Sequence, residues 1–363
     1  MELETLPAVF LLDGSVLAGP TNAQIMDAIG ENPDDLSCDV AVVGGGPAGL
    51  TSAVYAGSEG LRALVIERHV IGGQAGASSL IRNYLGFPRG ISGAELTQRA
   101  YQQAWLFGAR FVFAREVTGL RLDGARRILT LSDGREITAR AVIVATGAKY
   151  RRLEVPAIER FVGMSVFYTT FGEARMVRDL DVAVAGGGNS AGQAAIHLAA
   201  FARRVMLVVR AASLGAGMSD YLVQLIRRAP NIEVKLGSAI AGAEGGELLE
   251  QLSIRNLASG AVETIPTKLL FVLIGAIPHT DWLAGVVQRH AKGYILTGRD
   301  VEPGAWPLAR PTMSYETSVP GIFAVGDVRL GSMKRVASAV GEGAGAVQDV
   351  HQYLEEALVA PKS

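Results

Sequence analysis

Cysteine is almost absent from this chain of 363 residues, which contains only Cys38. A single thiol cannot form an internal disulfide or a Cys-x-x-Cys redox pair, so neither is available within the chain. Cys38 stands beside an apolar strand, a position that favours a small buried packing residue over a reactive thiol. The sequence also contains no cluster of residues with metal-ligand spacing and no nucleophile triad.

Long hydrophobic runs and an excess of one charge are missing as well. The longest apolar run, Leu269 to Ile277, has nine residues and is too short to cross a bilayer. The chain begins with MELETLP, which places acidic residues where a signal peptide carries positive charge. The formal net charge is −1, so no large basic surface argues for nucleic acid. We therefore predict a cytoplasmic protein with no membrane and no nucleic acid as partner.

Glycine, by contrast, is plentiful. The 44 glycines and the hydrophobic fraction of 49% are typical of open α/β sheets with phosphate-binding turns rather than of disorder. The length suits about two domains with ample buried cores.

A strand, a glycine turn, a helix and a second strand follow Cys38. Val40 to Val43 is the first strand, Gly44-x-Gly46-x-x-Gly49 is the turn, and a small-residue helix begins near Pro47. This pattern is the dinucleotide fingerprint, in which a diphosphate lies at the helix N-terminus. Glu67 ends the second strand, where an acid can accept hydrogen bonds from an adenosine ribose.

The same pattern recurs later in the chain. Asp181 to Ala185 is a strand, and Gly186-x-Gly188-x-x-Ala191, which includes Asn189 and Ser190, opens a helix. This internal duplication predicts two nucleotide sites. At the second site Arg210 replaces the acid and could accommodate the 2′-phosphate of NADPH, although a solvated surface arginine is the alternative.

The end of the chain carries a further ligand-facing pattern. Gly326-Asp327 ends a predicted strand, and an aspartate there faces the ligand crevice and could bind a ribityl hydroxyl. The final helix is predicted from near Arg335 to about Ala357, and its first turns are rich in small residues. Such turns allow close approach to a flat ring, and the positive end of the helix would stabilise a reduced flavin. Tight packing on the sheet explains the small residues equally well.

Residues 1–36 stand apart from the rest of the chain. Ala8 to Leu12 and Ser15 to Ala18 are predicted strands joined by an Asp13-Gly14 turn, and Thr21 to Ile29 is a predicted helix. This arrangement resembles the last third of a thioredoxin fold. We interpret it as a docked remnant or an interface element.

Together these motifs resemble the low-molecular-weight thioredoxin reductase family over about residues 38–355. The matching motifs are Gly44 to Gly49 with Glu67, Gly72-Gly73-Gln74, Asn83, Ala145-Thr146-Gly147, Gly186 to Ala191, Gly326-Asp327 and Arg335-Val336-Ala337. The resemblance implies an α/β flavoprotein with two Rossmann-like three-layer domains, usually a homodimer. Residues 37–152 and 282–363 would bind FAD, residues 153–281 would form the inserted NADPH domain, and residues 1–36 would be an N-terminal extension.

The resemblance also assigns residues to each cofactor. The FAD residues would be Gly44, Gly46, Pro47, Ala48, Gly49, Glu67, Gly73, Gln74, Asn83, Thr146, Gly147, Gly326, Asp327, Val336 and Ala337. The NADPH residues would be Gly186, Gly188, Asn189, Ser190, Ala191 and Arg210.

The chain departs from the family pattern in two places. Relatives carry Cys-Ala-Thr-Cys just before the second fingerprint, where this chain reads SVFYTTFGE and has no sulfur. Thioredoxin reduction by the usual dithiol route is therefore excluded. Tyr168 and Phe171 in this segment could stack on the flavin, or they could be wall residues. The family's His-Arg-Arg group, which binds the phosphate, is reduced here to Val209-Arg210-Ala211. One guanidinium replaces several, which predicts an NADPH affinity lower by orders of magnitude.

These observations lead to one main functional hypothesis and two alternatives. The main hypothesis is an FAD-dependent oxidoreductase that passes electrons from the flavin directly to a ferredoxin or flavodoxin, a quinone, oxygen or a small molecule. The alternatives are a non-catalytic FAD-binding sensor and a biosynthetic flavin oxidase that does not use NADPH.

Among the five histidines, His279 is the acid–base candidate to test first, although a surface hinge residue is the alternative.

Overall fold

The computed structural model describes residues 8–12, 15–30, 32–78, 80–168 and 174–359. The chain divides into two compact units. Unit 1 comprises Met1–Lys149 with Pro278–Ser363, and unit 2 comprises Tyr150–Ile277. Among the described helices, none combines the length and apolar character that crossing a membrane requires.

The elements of unit 1 fall before and after unit 2 in the chain. The first part contains β1 (Ala8–Phe10), β2 (Val16–Ala18), α1 (Asn22–Ala28), β3 (Ser37–Val43), α2 (Pro47–Ser58), β4 (Ala63–Glu67), α3 (Gly73–Gly76), α4 (Gly93–Leu106), β5 (Arg110–Phe113), β6 (Val117–Asp123), β7 (Arg126–Leu131), β8 (Glu136–Val144) and β9 (Ala148–Tyr150), whose last residue already belongs to unit 2.

Unit 2 follows, and the chain then returns to unit 1. Unit 2 contains β10 (Val166–Phe167), α5 (Ala174–Val177), β11 (Asp181–Ala185), α6 (Asn189–Ala199), β12 (Arg204–Val208), α7 (Asp220–Arg228), β13 (Ile232–Lys235), β14 (Ser238–Gly245), β15 (Leu249–Asn256), β16 (Val262–Pro266), β17 (Leu269–Val272) and most of β18 (Ala276–Pro278). The return to unit 1 contributes β19 (Ile322–Ala324) and α8 (Val336–Val359).

Unit 1 is built on a parallel sheet in the order β5-β4-β3-β8-β19. Helices α2 and α8 cover one face, where Leu50, Phe323 and Val347 are fully buried. The other face carries an antiparallel layer formed by β6, β7 and the first half of β8, where Leu129 and Ile137 are buried. Because side chains alternate along a strand, the apolar residues of β3 fill both cores.

Unit 2 repeats this three-layer plan. Its parallel sheet has the order β10-β17-β11-β12-β13, and a separate antiparallel sheet has the order β14-β15-β16. Helices α6 and α7 pack on one face of the parallel sheet around Leu198 and Ile226. The antiparallel sheet packs on the other face around Leu252 and Ile254.

Several predicted elements needed correction. The β-rich segments between Arg110 and Ala139 predict a small antiparallel insert that begins with Arg110 to Phe113. The structure differs, because β5 pairs in parallel with β4 and is the edge of the main sheet. The sequence pattern predicts separate strands at residues 136–139 and 141–145, but β8 is continuous. Its residues 136–139 pair with β7, residues 138–144 pair with β3, and residues 142–144 pair with β19. Gly72, Gly73 and Gln74 predict a turn without strong helix or strand signal, and in the structure this turn continues into one helical turn, α3.

The extension forms the hairpin β1–β2 and the helix α1. Thr21 caps α1, since the amide of Gln24 donates to its hydroxyl at 3.2 Å and the Gln24 side chain accepts from the Thr21 amide at 2.8 Å. This reciprocal pair is a capping box. The predicted Asp13-Gly14 turn lies outside the described residues.

Candidate functional site

The first glycine turn, at the carboxyl end of β3, is shaped by close backbone approaches. Gly44 has φ +110°, and a Cβ there would lie 2.5 Å from the carbonyl oxygen of Ala145. A Cβ on Gly49 would lie 1.9 Å from the carbonyl oxygen of Gly44, so α2 packs against the turn without room for any side chain. Gly46 differs, because a Cβ there would meet no atom within 4 Å. The turn therefore leaves open space directly in front of α2.

Helix α2 begins in a way that suits an anionic ligand. Its N-cap is Gly46, which offers no side-chain cap, and Pro47 occupies the first helical position. The first amides of the helix thus have no side-chain acceptor, and the helix dipole adds positive potential at the same place. A diphosphate is the group that such a terminus binds.

The acid at the end of β4 lies against this turn. Glu67 is buried, with 8% of its surface exposed. Its Oε2 accepts from the amide of Gly45 and its Oε1 from the amide of His69, both at 2.8 Å. A carboxylate oxygen can accept two hydrogen bonds, so the fixed Glu67 retains acceptor capacity for a ribose diol.

Arg68, the next residue, contacts His279. The Arg68 guanidinium donates to Nε2 of His279 at 2.9 Å and pairs with Glu116 at 3.0 Å. The hydroxyl of Thr146 donates to the carbonyl oxygen of His279 at 2.9 Å. Burial and the adjacent Arg68 lower the pKa of His279 below its usual 6.5. The sequence singled out His279 but gave no sign of its partner.

The segment after β4 comes back against the glycine turn. The amide of Gly72 donates to the carbonyl oxygen of Gly45 at 2.7 Å. A Cβ on Gly73 would lie 3.4 Å from Cα of Gly46, so α3 borders the open space. The side chain of Gln74 donates to the carbonyl oxygen of Ala148. Asn83 is exposed in the loop that follows.

The carboxyl end of β19 adds a third border. A Cβ on Gly326, which has φ +73°, would lie 3.1 Å from Cβ of Ala48 in the first turn of α2. The amide of Gly326 donates to the buried carboxylate of Glu342 at 2.7 Å, and Arg329 pairs with the same carboxylate at 2.8 Å. Sequence reasoning missed Glu342, although a lone acid among the small residues of α8 was a usable signal.

The segment before α8 carries a constrained cation. Lys334 has φ +47°, its ammonium donates to the carbonyl oxygen of Asp327 at 3.1 Å, and it lies 4.4 Å from the ring centroid of Tyr294. Burial lowers the pKa of Lys334 below its usual value. Val336, partly buried, and Ala337, exposed, follow at the start of α8.

The second glycine turn, in unit 2, has the same construction. A Cβ on Gly186, where φ is +150°, would lie 2.4 Å from the carbonyl oxygen of Leu273. Helix α6 has Gly188 as its N-cap, again without a side-chain cap. The side chain of Asn189 accepts from the amide of Ser219 at 2.8 Å and donates to its hydroxyl at 3.0 Å. These two bonds fix the end of the loop that follows β12.

Arg210 begins this loop and is exposed. Within the described residues it has no carboxylate partner within 4.0 Å, in contrast to Lys235, which pairs with Glu233 and Glu263. Arg210 is thus a cation near the glycine turn that no described acid neutralises.

The remaining candidates lie elsewhere. The hydroxyl of Tyr168 accepts from the amide of Leu153 at 3.3 Å, and its ring packs against a core cluster of unit 2. Phe171 is outside the described residues. Cys38 is buried in β3, and burial raises the pKa of its thiol to about 12. Within the described part of the chain, no three His, Cys, Asp or Glu side chains are placed to hold a metal ion.

Comparison with known proteins agrees with this architecture. A sequence model of the pyridine nucleotide-disulphide oxidoreductase family matches residues 38–343. Thioredoxin reductase of Peptoclostridium acidaminophilum is 32% identical over 323 residues, covering 87% of this chain and 97% of that protein. The crystal structure of thioredoxin reductase from Streptococcus pyogenes superposes with a TM-score of 0.79 at 31% identity, covering 89% of this chain and 100% of the other.

A third relative gives the same result. Thioredoxin reductase of Bacillus subtilis is 30% identical over 326 residues, covering 88% of this chain and 95% of that protein. The matched structures confirm the predicted mixed α/β fold. The chain therefore belongs to the pyridine nucleotide-disulphide oxidoreductase family, an FAD- and pyridine nucleotide-dependent oxidoreductase class related to thioredoxin reductase.

Proposed function

We propose that this protein is an FAD-dependent oxidoreductase that exchanges electrons between its flavin and an acceptor without a dithiol of its own. One observation carries the proposal. The only cysteine is Cys38, which is buried in β3 with a thiol pKa of about 12, so it cannot act as a redox thiolate. The segment in which thioredoxin reductases place their cysteine pair has no sulfur in this chain.

FAD, when bound, would supply a flavin ring that accepts a hydride and returns electrons singly or in pairs. The residues of unit 1 would hold its other parts. The open space at Gly46 and the uncapped start of α2 suit the diphosphate. Glu67 would accept from the ribose hydroxyls, and Asp327 would bind the ribityl chain.

The start of α8 would face the pyrimidine side of the ring. The amides of Val336 and Ala337 are at the positive end of a 24-residue helix, where they would donate to an electron-rich edge. Lys334 lies two residues before Val336, and its side chain donates to the carbonyl oxygen of Asp327. The role expected of this region is therefore to favour the reduced ring by binding its negative charge.

The donor proposed for unit 2 is NADPH, bound at the turn before α6. Arg210 is exposed and has no described acidic partner, which suits a 2′-phosphate. Because a single guanidinium replaces several in the family pattern, we expect weak NADPH binding.

The test is an anaerobic titration of the purified protein, followed through the flavin absorption band. We expect NADPH to bleach the band and a dye or ferredoxin to restore it, while thioredoxin remains unreduced. Retention of FAD without reduction by NADPH, NADH or reduced ferredoxin would contradict this proposal. It would favour one of the two alternatives, a flavin-binding sensor or a flavin oxidase that does not use NADPH. A colourless protein that cannot take up FAD would overturn the proposal entirely.

A further inference from the structure

The contact between Arg68 and His279 joins the two strand ends beside the first glycine turn. In the sheet, β4 and β8 lie on either side of β3, whose end carries Gly44. Arg68 directly follows β4. His279 is attached to the segment after β8, because its amide donates to the carbonyl oxygen of Gly147 at 3.2 Å and its own carbonyl oxygen accepts from Thr146 at 2.9 Å. The contact therefore connects the two flanks of the turn.

We propose that the Arg68–His279 contact closes the adenosine end of the FAD site and that a proton on His279 opens it. The proposal depends on the proposed function, because it assumes that FAD binds with its diphosphate at Gly46. It assigns His279 a positioning role: His279 orients Arg68, which directly follows Glu67 in the chain, the residue proposed to bind the ribose.

The chemistry of the two side chains fixes the protonation state. A guanidinium has five donors and no acceptor, so Nε2 of His279 must be the acceptor in the 2.9 Å contact. The imidazole is then neutral, with its proton on Nδ1. A second proton would remove the acceptor and place two cations side by side.

The surrounding charges support this assignment. The groups that face His279 are Arg68, Lys149 and His69, which disfavour a second proton, and Glu116, which favours it. Burial disfavours the charged imidazole as well, so its pKa is below 6.5. A histidine with a lowered pKa contributes its stabilisation fully above its unfolded pKa, and this contribution falls as the pH drops below about 6.5. The contact should thus be intact at neutral pH and weaken in acid.

Arg68 would not leave the site when the contact opens. Its other nitrogen pairs with Glu116 at 3.0 Å, and that carboxylate is 55% exposed. Loss of the histidine acceptor would therefore leave the exposed Glu116 as the partner toward which the guanidinium turns.

The experiment measures FAD release from the holoprotein by flavin fluorescence, as a function of pH. We expect release to be about tenfold faster in mild acid than at neutral pH, because one charge-assisted hydrogen bond is lost. In His279→Gln the amide oxygen can still accept from Arg68 but cannot titrate, so release should stay slow across the range. His290→Gln changes an exposed histidine and should keep the wild-type profile.

A second variant separates the contact from a general effect of acid. Arg68→Met should release FAD faster at every pH and should also lose the pH dependence, while thermal unfolding of the apoprotein reports on folding. A flat wild-type profile, or a His279→Gln profile equal to wild type, would overturn the inference while leaving the proposed function intact. Failure of the wild type to bind FAD at any pH would overturn both.

Discussion

Gly46 and Gly49 are both part of the first glycine turn, but the structure indicates different roles for them. Gly49 lets α2 pack directly on the turn, since its Cβ position lies 1.9 Å from the Gly44 carbonyl oxygen. Gly46 faces open space and has φ −78°, so its backbone conformation suits any residue. One position therefore serves the fold and the other serves the ligand.

This difference gives a matched pair of alanine variants. In Gly49→Ala the new methyl group would overlap with the carbonyl oxygen of Gly44, which is backbone and cannot turn away. We expect this variant to destabilise unit 1 by about 3 kcal/mol or more, because a packed core cannot absorb such an overlap. Gly46→Ala should fold normally but place a methyl group where the diphosphate is proposed to bind, and so weaken FAD affinity. Urea unfolding and FAD titration measure the two effects. Equal loss of stability in both variants would contradict the separation.

The sole thiol is expected to be inert in the folded protein. Because burial raises the pKa of Cys38 to about 12, the thiol stays protonated at pH 8. Iodoacetamide should leave the native protein unmodified and add one group per chain in denaturant, as measured by intact mass. Rapid modification of native protein at pH 8 would show that the thiol is accessible.

At the scale of elements, the extension is attached to the edge of the unit 1 sheet. The amide of Phe113 in the edge strand β5 donates to the side chain of Asn32 at 2.8 Å. The side chain of Arg115 is 6% exposed. It pairs with Asp27 of α1 at 2.5 Å and with Asp133 at 2.6 Å. The Asn32 side chain thus occupies one of the edge-strand amides that could otherwise pair with another strand.

Removal of the buried guanidinium should release the extension. We expect Arg115→Ala to destabilise the protein by about 1–2 kcal/mol, because Asp27 loses its ion pair and Asp133 keeps only Arg135. Limited proteolysis should then cleave the extension before the rest of unit 1. Arg121→Ala, which removes an exposed ion pair with Glu136, is the matched control and should leave the digestion pattern unchanged.

The same cluster predicts a response to acid. Burial raises the pKa of Asp133, but hydrogen bonds from Arg115 and Arg135 outweigh it and hold the pKa below 3.8. A carboxylate with a lowered pKa stabilises the fold above its unfolded pKa, and this stabilisation is lost as the pH falls through the folded value. The difference in unfolding free energy between wild type and Arg115→Ala should therefore shrink below about pH 4. A constant difference down to pH 2 would contradict this origin.

The local sequence pattern predicted helices, strands and turns correctly where residues close together in the sequence determine the structure. Strand β11 and the turns before α2 and α6 follow from apolar runs and glycine spacing. The parallel pairing of β5 could not be predicted from the sequence pattern of its own residues, because it depends on how β5 aligns with β4 in the folded sheet. The Arg68–His279 contact joins residues 211 positions apart, and only the fold brings them together.

At the scale of the whole molecule, the two glycine turns belong to different units of the chain. Each unit has its own parallel sheet, its own cores and its own uncapped helix start. Since the two sites share no described residue, substitutions in one unit should affect ligand binding there and leave the other site unchanged. This independence allows the cofactor and the donor to be tested separately.

Arg210→Ala tests the donor site in this way. Loss of one charge-assisted phosphate bond should weaken NADPH binding by about 10- to 100-fold and leave NADH binding nearly unchanged. FAD content and the flavin spectrum should equal those of the wild type, whereas Gly46→Ala should lower FAD content and leave nucleotide affinity intact.

Arg203→Ala is the control, because Arg203 is exposed in the same unit but pairs with Asp181 at 2.9 Å. Equal loss of NADPH and NADH affinity in Arg210→Ala would show that the guanidinium supports the loop rather than binding the 2′-phosphate. The proposed preference for NADPH over NADH would then lose its basis in Arg210.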